Sequence, residues 1–160
     1  VMLADPLSAK LAGFVQDIGI PVHLADLPDP TFLPGIDIRF GELIVDEKRL
    51  LYPGDLLHEA GHVAVASPEE RQLEKLDPQP GDEMATLAWS YAAARHLEIS
   101  VEVVFHPDGY KGGADALIEN FSAGRYVGVP LLQYYGMCYE PRLAAEEGVD
   151  PFPNMLRWLR

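Results

Sequence analysis

A single cysteine, Cys138, occurs in the 160 residues of the chain. No disulfide can form within one copy, and a zinc site built from several thiolates is excluded. Any metal must be held by His, Asp and Glu, and a reducing, cytoplasmic setting is expected. Cations are also scarce: 12 Lys plus Arg stand against 25 Asp plus Glu, a net charge of −13. A surface this acidic repels phosphate backbones and anionic headgroups, so neither nucleic acid nor a membrane surface is an expected partner. The plainest consequence of the charge is solubility. No apolar run reaches the ~20 residues that span a bilayer. Val1-Met2-Leu3-Ala4-Asp5 lacks the basic stretch and long apolar run of a secretory signal. No solenoid-like repeat is present.

What is there suffices for one compact domain over residues 1–160, because 48% of the chain is hydrophobic. Asp5-Pro6 opens a helix in which Leu7, Leu11, Phe14, Val15 and Ile18 recur at helical spacing until Gly19. Residues 20–24 read as short and extended, and the proline-bearing stretch 27–35 as a loop. Ile36-Asp37-Ile38-Arg39-Phe40 alternates like a half-buried strand, Gly41-Glu42 turns the chain, and Leu43-Ile44-Val45 returns as its partner. Helices are expected over residues 55–66 and 82–97, with a firm break at 77–81 and a short exposed helix in 69–76. Residues 99–105 have the β-branched composition of a strand. A further helix is expected over 114–121 and a tail helix near 154–158. The tail, residues 155–159, is expected to dock on the chain's own core or on a neighbouring copy, the former being favoured. Helices and a small hairpin interleave without a regular βαβ repeat, which makes the fold class α+β.

The chemistry is concentrated in His58-Glu59-Ala60-Gly61-His62. Residues four apart on a helix lie on one face a turn apart, so two imidazole nitrogens can approach one zinc ion at ~2.0–2.1 Å. Glu59 faces nearly the same way and can reach a water on the metal as general base without being a ligand. Gly61 costs a helix about 1 kcal/mol relative to Ala, so a close approach by another backbone or side chain is the expected reason for it. Asp55, one turn before His58, can orient a ligand imidazole or cap the helix.

Tetrahedral zinc with an open position needs a third protein ligand. Pro68 occupies the position six residues after His62, which rules out a third histidine there. Glu83, twenty-one residues after His62 at the start of the next helix, is the favoured third ligand. Asp82 is the next candidate, although it suits an N-cap, and Glu69, Glu70, Glu74, His96 and His106 follow.

His58-Glu59-Ala60-Gly61-His62 followed by Glu83-Met84-Ala85 in a second helix resembles a compact gluzincin-type metallopeptidase domain of the zincin fold. The resemblance covers roughly residues 36–97. It implies a small antiparallel or mixed sheet packed on the motif helix and on a second, ligand-bearing helix. In that family the edge strand of a hairpin, here within residues 36–45, can bind an extended peptide. Substrate would then present a carbonyl towards zinc, with Glu59 as general base and then acid. An oxyanion donor is also needed, for which Tyr91, His96, His106, Tyr110, Tyr134 and Tyr135 are candidates. The expected function is a zinc-dependent hydrolase acting on a peptide or peptide-like substrate. The alternative is a zincin-like metal-binding domain with a binding or regulatory role and little or no proteolysis. A metal-free interaction domain is the third possibility.

Overall fold

Residues 2–160 are described here in a computed structural model. Helix α1 (Pro6–Asp17) begins as its sequence dictates. The Asp5 carboxylate accepts from the Ser8 backbone N–H and hydroxyl, both at 2.9 Å, and Pro6 occupies the first turn. Leu11, Phe14 and Val15 are buried, while Leu7 and Ile18 lie at the margin of the same cluster.

Three short strands follow: β1 (Val22–Leu24), β2 (Ile36–Arg39) and β3 (Glu42–Val45). The sheet has the order β1-β3-β2, with β1 parallel to β3 and β2 antiparallel to it. Ile36 pairs with Val45 and Ile38 with Leu43, so the alternation read in the sequence puts Ile36, Leu43 and Val45 into the core. The hairpin turn is Phe40-Gly41, one residue earlier than expected. Both residues have positive φ, 51° and 73°, the backbone that a two-residue turn between twisted strands requires.

Helix α2 (Asp55–Val65) lies against β2 and β3 and is buried along its whole length, polar residues included. Helix α3 (Pro80–His96) packs along it, and this is the most extensive contact between elements of the fold. Its start falls inside the expected break. Pro80 takes the first turn, and the Asp82 carboxylate reaches back to accept from the Gln79 N–H at 2.8 Å. Gly61 is explained here: a Cβ at that position would stand 2.9 Å from Thr86 Cγ2 and 3.1 Å from Trp89 Cε3. The glycine lets α3 come close enough to α2 for their polar side chains to meet.

Helices α4 (Ala114–Ser122), α5 (Val129–Tyr134) and α6 (Pro141–Glu147) complete the chain. The fold is α+β with a small mixed sheet. No helix among the described residues is long and apolar enough to cross a membrane.

Three sequence expectations are corrected. Residues 99–105 form no strand. They make a single 3₁₀ turn, Val101–Val103, capped by the Ser100 hydroxyl, which accepts from the Glu102 N–H at 3.3 Å. Packing overrides β-propensity there: the Val103 carbonyl lies against Gly54 at the head of α2, too near for any side chain at Gly54, and Val104 and Phe105 are buried. The tail, residues 154–158, is not helical. Trp158 instead packs edge-on against Phe14 and Trp89, with centroids at 5.1 and 5.5 Å, and its carbonyl accepts from Trp89 Nε1 at 2.9 Å. It does dock on the chain's own core. In 69–76 only one 3₁₀ turn forms, Glu70–Gln72.

Candidate metal centre

The site is built from four polar residues on the buried helix α2 and one carboxylate on α3. Asp55, His58, Glu59 and His62 are all less than 8% exposed. Burying so much polarity on one helix is unfavourable unless each group finds a partner. Helical spacing puts His58 and His62 a turn apart, with ring centroids at 5.0 Å. Glu83, in the first turn of α3, faces both. Its Oε1 is 3.3 Å from His58 Nε2, and its Oε2 is 2.8 Å from His62 Nε2. One ligand atom from each of the three residues falls within a sphere of mutual distances no longer than 4.8 Å.

This donor set fits zinc. Tetrahedral ligands at ~2.1 Å from a metal stand about 3.4 Å from one another, and the three candidate ligand atoms here lie within 4.8 Å of one another. The far side of each ring fits as well. Tyr110 Oη lies 3.3 Å from His58 Nδ1, and Thr86 Oγ1 lies 3.3 Å from His62 Nδ1. A ring that gives its Nδ1–H to a hydroxyl keeps its Nε2 lone pair for a cation.

Electrostatics follow from the packing. Burial alone would depress the proton affinity of His58, but the hydrogen bond and charge of Glu83 outweigh it and raise its pKa. For Glu83 burial acts upward and is overcome by hydrogen bonds from His58 and His62, which hold the carboxyl well below the usual range. Glu59 is pushed up by burial, against the opposing charges of His58 and His62. Its carboxylate makes no hydrogen bond among the described residues.

Asp55 does not orient a ligand imidazole. Its Oδ1 meets His106 Nε2 at 2.9 Å, and the His106 ring stacks on Tyr52 at 3.9 Å. Tyr52 in turn donates to Asp108 at 2.9 Å. The other third-ligand candidates are engaged elsewhere or face solvent. Asp82 caps α3, Glu70 accepts from the Ser67 N–H, and His96 packs against Phe14 and Trp158, while Glu69 and Glu74 are exposed. Of the oxyanion-donor candidates, Tyr91 stacks on Phe121 in the core. Tyr134 is 82% exposed, and Tyr135 lies under the Arg160 guanidinium. Of these candidates only His106 and Tyr110 line the same cavity as His58 and Glu83.

That cavity has a volume of about 910 Å³ and opens beside His58 and Glu83. Its walls are mainly apolar, with Leu33, Leu51, Leu87 and Leu117 among them. Residues 32–34, which lead into the edge strand β2, form part of its rim. Glu59 does not line it.

Sequence reasoning missed Thr86, although a signal was available: Thr86 is three residues beyond Glu83, and so on the same face of α3. It also missed Tyr52, whose role depends on a loop fifty-odd residues away and has no local signature. Comparison of the chain with family models, with curated proteins and with solved structures gives no match.

Proposed function

We propose that the protein is a zinc-dependent hydrolase, most specifically a metallopeptidase with a zincin-like core made of the hairpin, α2 and α3. One observation carries this reading: His58 Nε2, His62 Nε2 and the Glu83 carboxylate converge from two packed helices, with both Nδ1 atoms tied to hydroxyls. These three residues would hold the metal. Zinc, when bound there, supplies a Lewis acid that polarises a carbonyl and acidifies water. Glu59, adjacent to His58 and buried among the same charges, is the general base that takes a proton from the attacking water. The same carboxyl can then return that proton to the departing amine. Tyr110 holds the His58 ring. The edge position of β2, beside the cavity rim, suits an extended peptide-like substrate. A cytoplasmic setting agrees with the lone, buried Cys138.

Incubating zinc-loaded protein with a peptide library tests the reading. Cleavage that a chelator abolishes, and that Glu59→Gln loses while keeping its metal, is expected. Full activity in Glu59→Gln would sink the mechanism. One observation favours the second reading, a metal-binding domain without proteolysis: Glu59 is absent from the lining of the large cavity. Bound zinc with no cleavage across the library is the result that reading requires.

A further inference from the structure

The cavity beside the metal-binding group carries charges of both signs, and their pairing is unequal. Each acidic side chain on its wall has a partner within the protein through at least one oxygen, while Asp55 Oδ2 stays unpaired. Asp55 is held by His106, Glu83 by the two imidazoles, and Asp108 by the Tyr52 hydroxyl. The remaining charged side chain on the lining is Lys111, which makes no hydrogen bond or ion pair among the described residues and is exposed to solvent. A ligand entering this cavity therefore meets apolar walls, three carboxylates that each already accept a hydrogen bond, and one ammonium with no partner among the described residues.

The backbone at Lys111 carries a second indication. Tyr110 and Lys111 both have positive φ, 57° and 53°, a conformation that is unfavourable for side chains with a Cβ. Glycines stand immediately on either side, at 109 and 112–113, yet the strained positions are occupied by the two residues whose side chains line the cavity. Tyr110 uses its position to reach His58. Lys111, next in the chain, lies on the same wall with no partner to account for its placement. Strain of this kind persists where the surrounding structure enforces it, commonly at sites that bind ligands.

We propose that the substrate of this site carries a bulky apolar group and a free carboxylate, the first filling the cavity beside His58 and Glu83 and the second pairing with Lys111. This inference rests on the hydrolase reading above and narrows its substrate class. A short peptide with an aromatic or branched side chain and an open C-terminus has the required chemistry. The apolar group is recognised by area, since apolar walls with a few placed polar groups are the ordinary make-up of a small-molecule pocket. The carboxylate is recognised by charge, against a global charge of −13 that otherwise disfavours anions.

Binding of N-benzoyl-phenylalanine, its amide, and N-benzoylglycine to zinc-loaded and to metal-free protein, followed by ligand-observed NMR, tests the proposal. The carboxylate is expected to bind at least fivefold more tightly than the amide, and the glycine analogue at least tenfold more weakly than the phenylalanine compound. Lys111→Gln should abolish the preference for carboxylate over amide while leaving amide affinity in place. Ala116→Trp, at an exposed cavity position, should weaken both phenylalanine compounds. Equal affinity for acid and amide, a preference that survives Lys111→Gln, or no binding of any of the three overturns the proposal. The hydrolase reading fails separately. Absence of zinc-dependent cleavage with the carboxylate preference intact removes that reading and leaves a ligand site. Cleavage without the preference removes only the present inference.

Discussion

The Nδ1 atom of His62 lies 3.3 Å from the Thr86 hydroxyl, so the ring is fixed from the side opposite the carboxylate that it faces through Nε2. Both contacts come from one face of α3, because Glu83 and Thr86 are three residues apart. The helix that offers the candidate third ligand thus also holds the ring of the second candidate from its far side. Removing the hydroxyl while keeping the shape should expose this dependence. Thr86→Val is expected to weaken zinc binding about 10–100-fold, the usual effect of losing such a support, and Thr86→Ser to restore most of it. Competition with a chromophoric chelator measures the difference. Unchanged zinc affinity in Thr86→Val would remove Thr86 from the site.

Gly61 sets two physical effects against each other. Helix propensity alone predicts that Gly61→Ala stabilises by about 1 kcal/mol. The added Cβ, however, would stand 2.9 Å from Thr86 Cγ2 and 3.1 Å from the Trp89 ring, both fully buried. Overpacking of a tight core costs about 1–3 kcal/mol, so net destabilisation is expected in urea unfolding. A stabilised Gly61→Ala would show that α2 and α3 do not approach as closely as described.

On the proposed reading, proton and metal compete for His58. In the metal-free protein its pKa is raised above the ordinary 6.5, with Glu83 overcoming the effect of burial. A raised folded-state pKa contributes stability that is full below the unfolded value and is lost as pH rises through the folded value. Metal-free protein should therefore lose stability on going from pH 6 towards pH 9, and Glu83→Gln should flatten that slope. Zinc requires the neutral ring, so its affinity should rise over the same range. Unfolding curves and zinc titrations at several pH values check both signs, and a metal-free stability that climbs through this window contradicts the pairing.

Tyr110 joins His58 to the loop that carries the tyrosine. Its hydroxyl meets His58 Nδ1, and burial pushes its own ionisation upward, so it remains a neutral hydrogen-bonding group at physiological pH. Tyr110→Phe should lower zinc affinity roughly tenfold while leaving the fold intact by circular dichroism. An unaltered affinity would assign the orientation of His58 to some other group.

Much of this centre is visible in the sequence because helical geometry is local. A spacing of four places both histidines on one face, and an unfavourable glycine between them signals a close neighbour, here Thr86 and Trp89. Glu83 could be singled out because the break before it lets α3 fold back on α2. What the sequence hides depends on distant packing. Ile99, Val101, Val103 and Val104 have strand propensity, yet the segment runs over Gly54 and becomes a 3₁₀ turn. Tyr110 stands among six candidates until the left-handed backbone of 110–111 brings it to His58. The tail looks helical by composition, but Trp158 finds more contact in the aromatic cluster with Phe14 and Trp89. Asp55 reads as a cap or a support for His58, and only the fold reveals its pairing with His106.

Elemental analysis of protein purified without chelators tests the central claim most directly. The account predicts close to one equivalent of zinc in the native chain and in Glu59→Gln, and near none in His58→Ala or Glu83→Ala. Zinc absent from the native protein, or retained undiminished when His58 is removed, would contradict it.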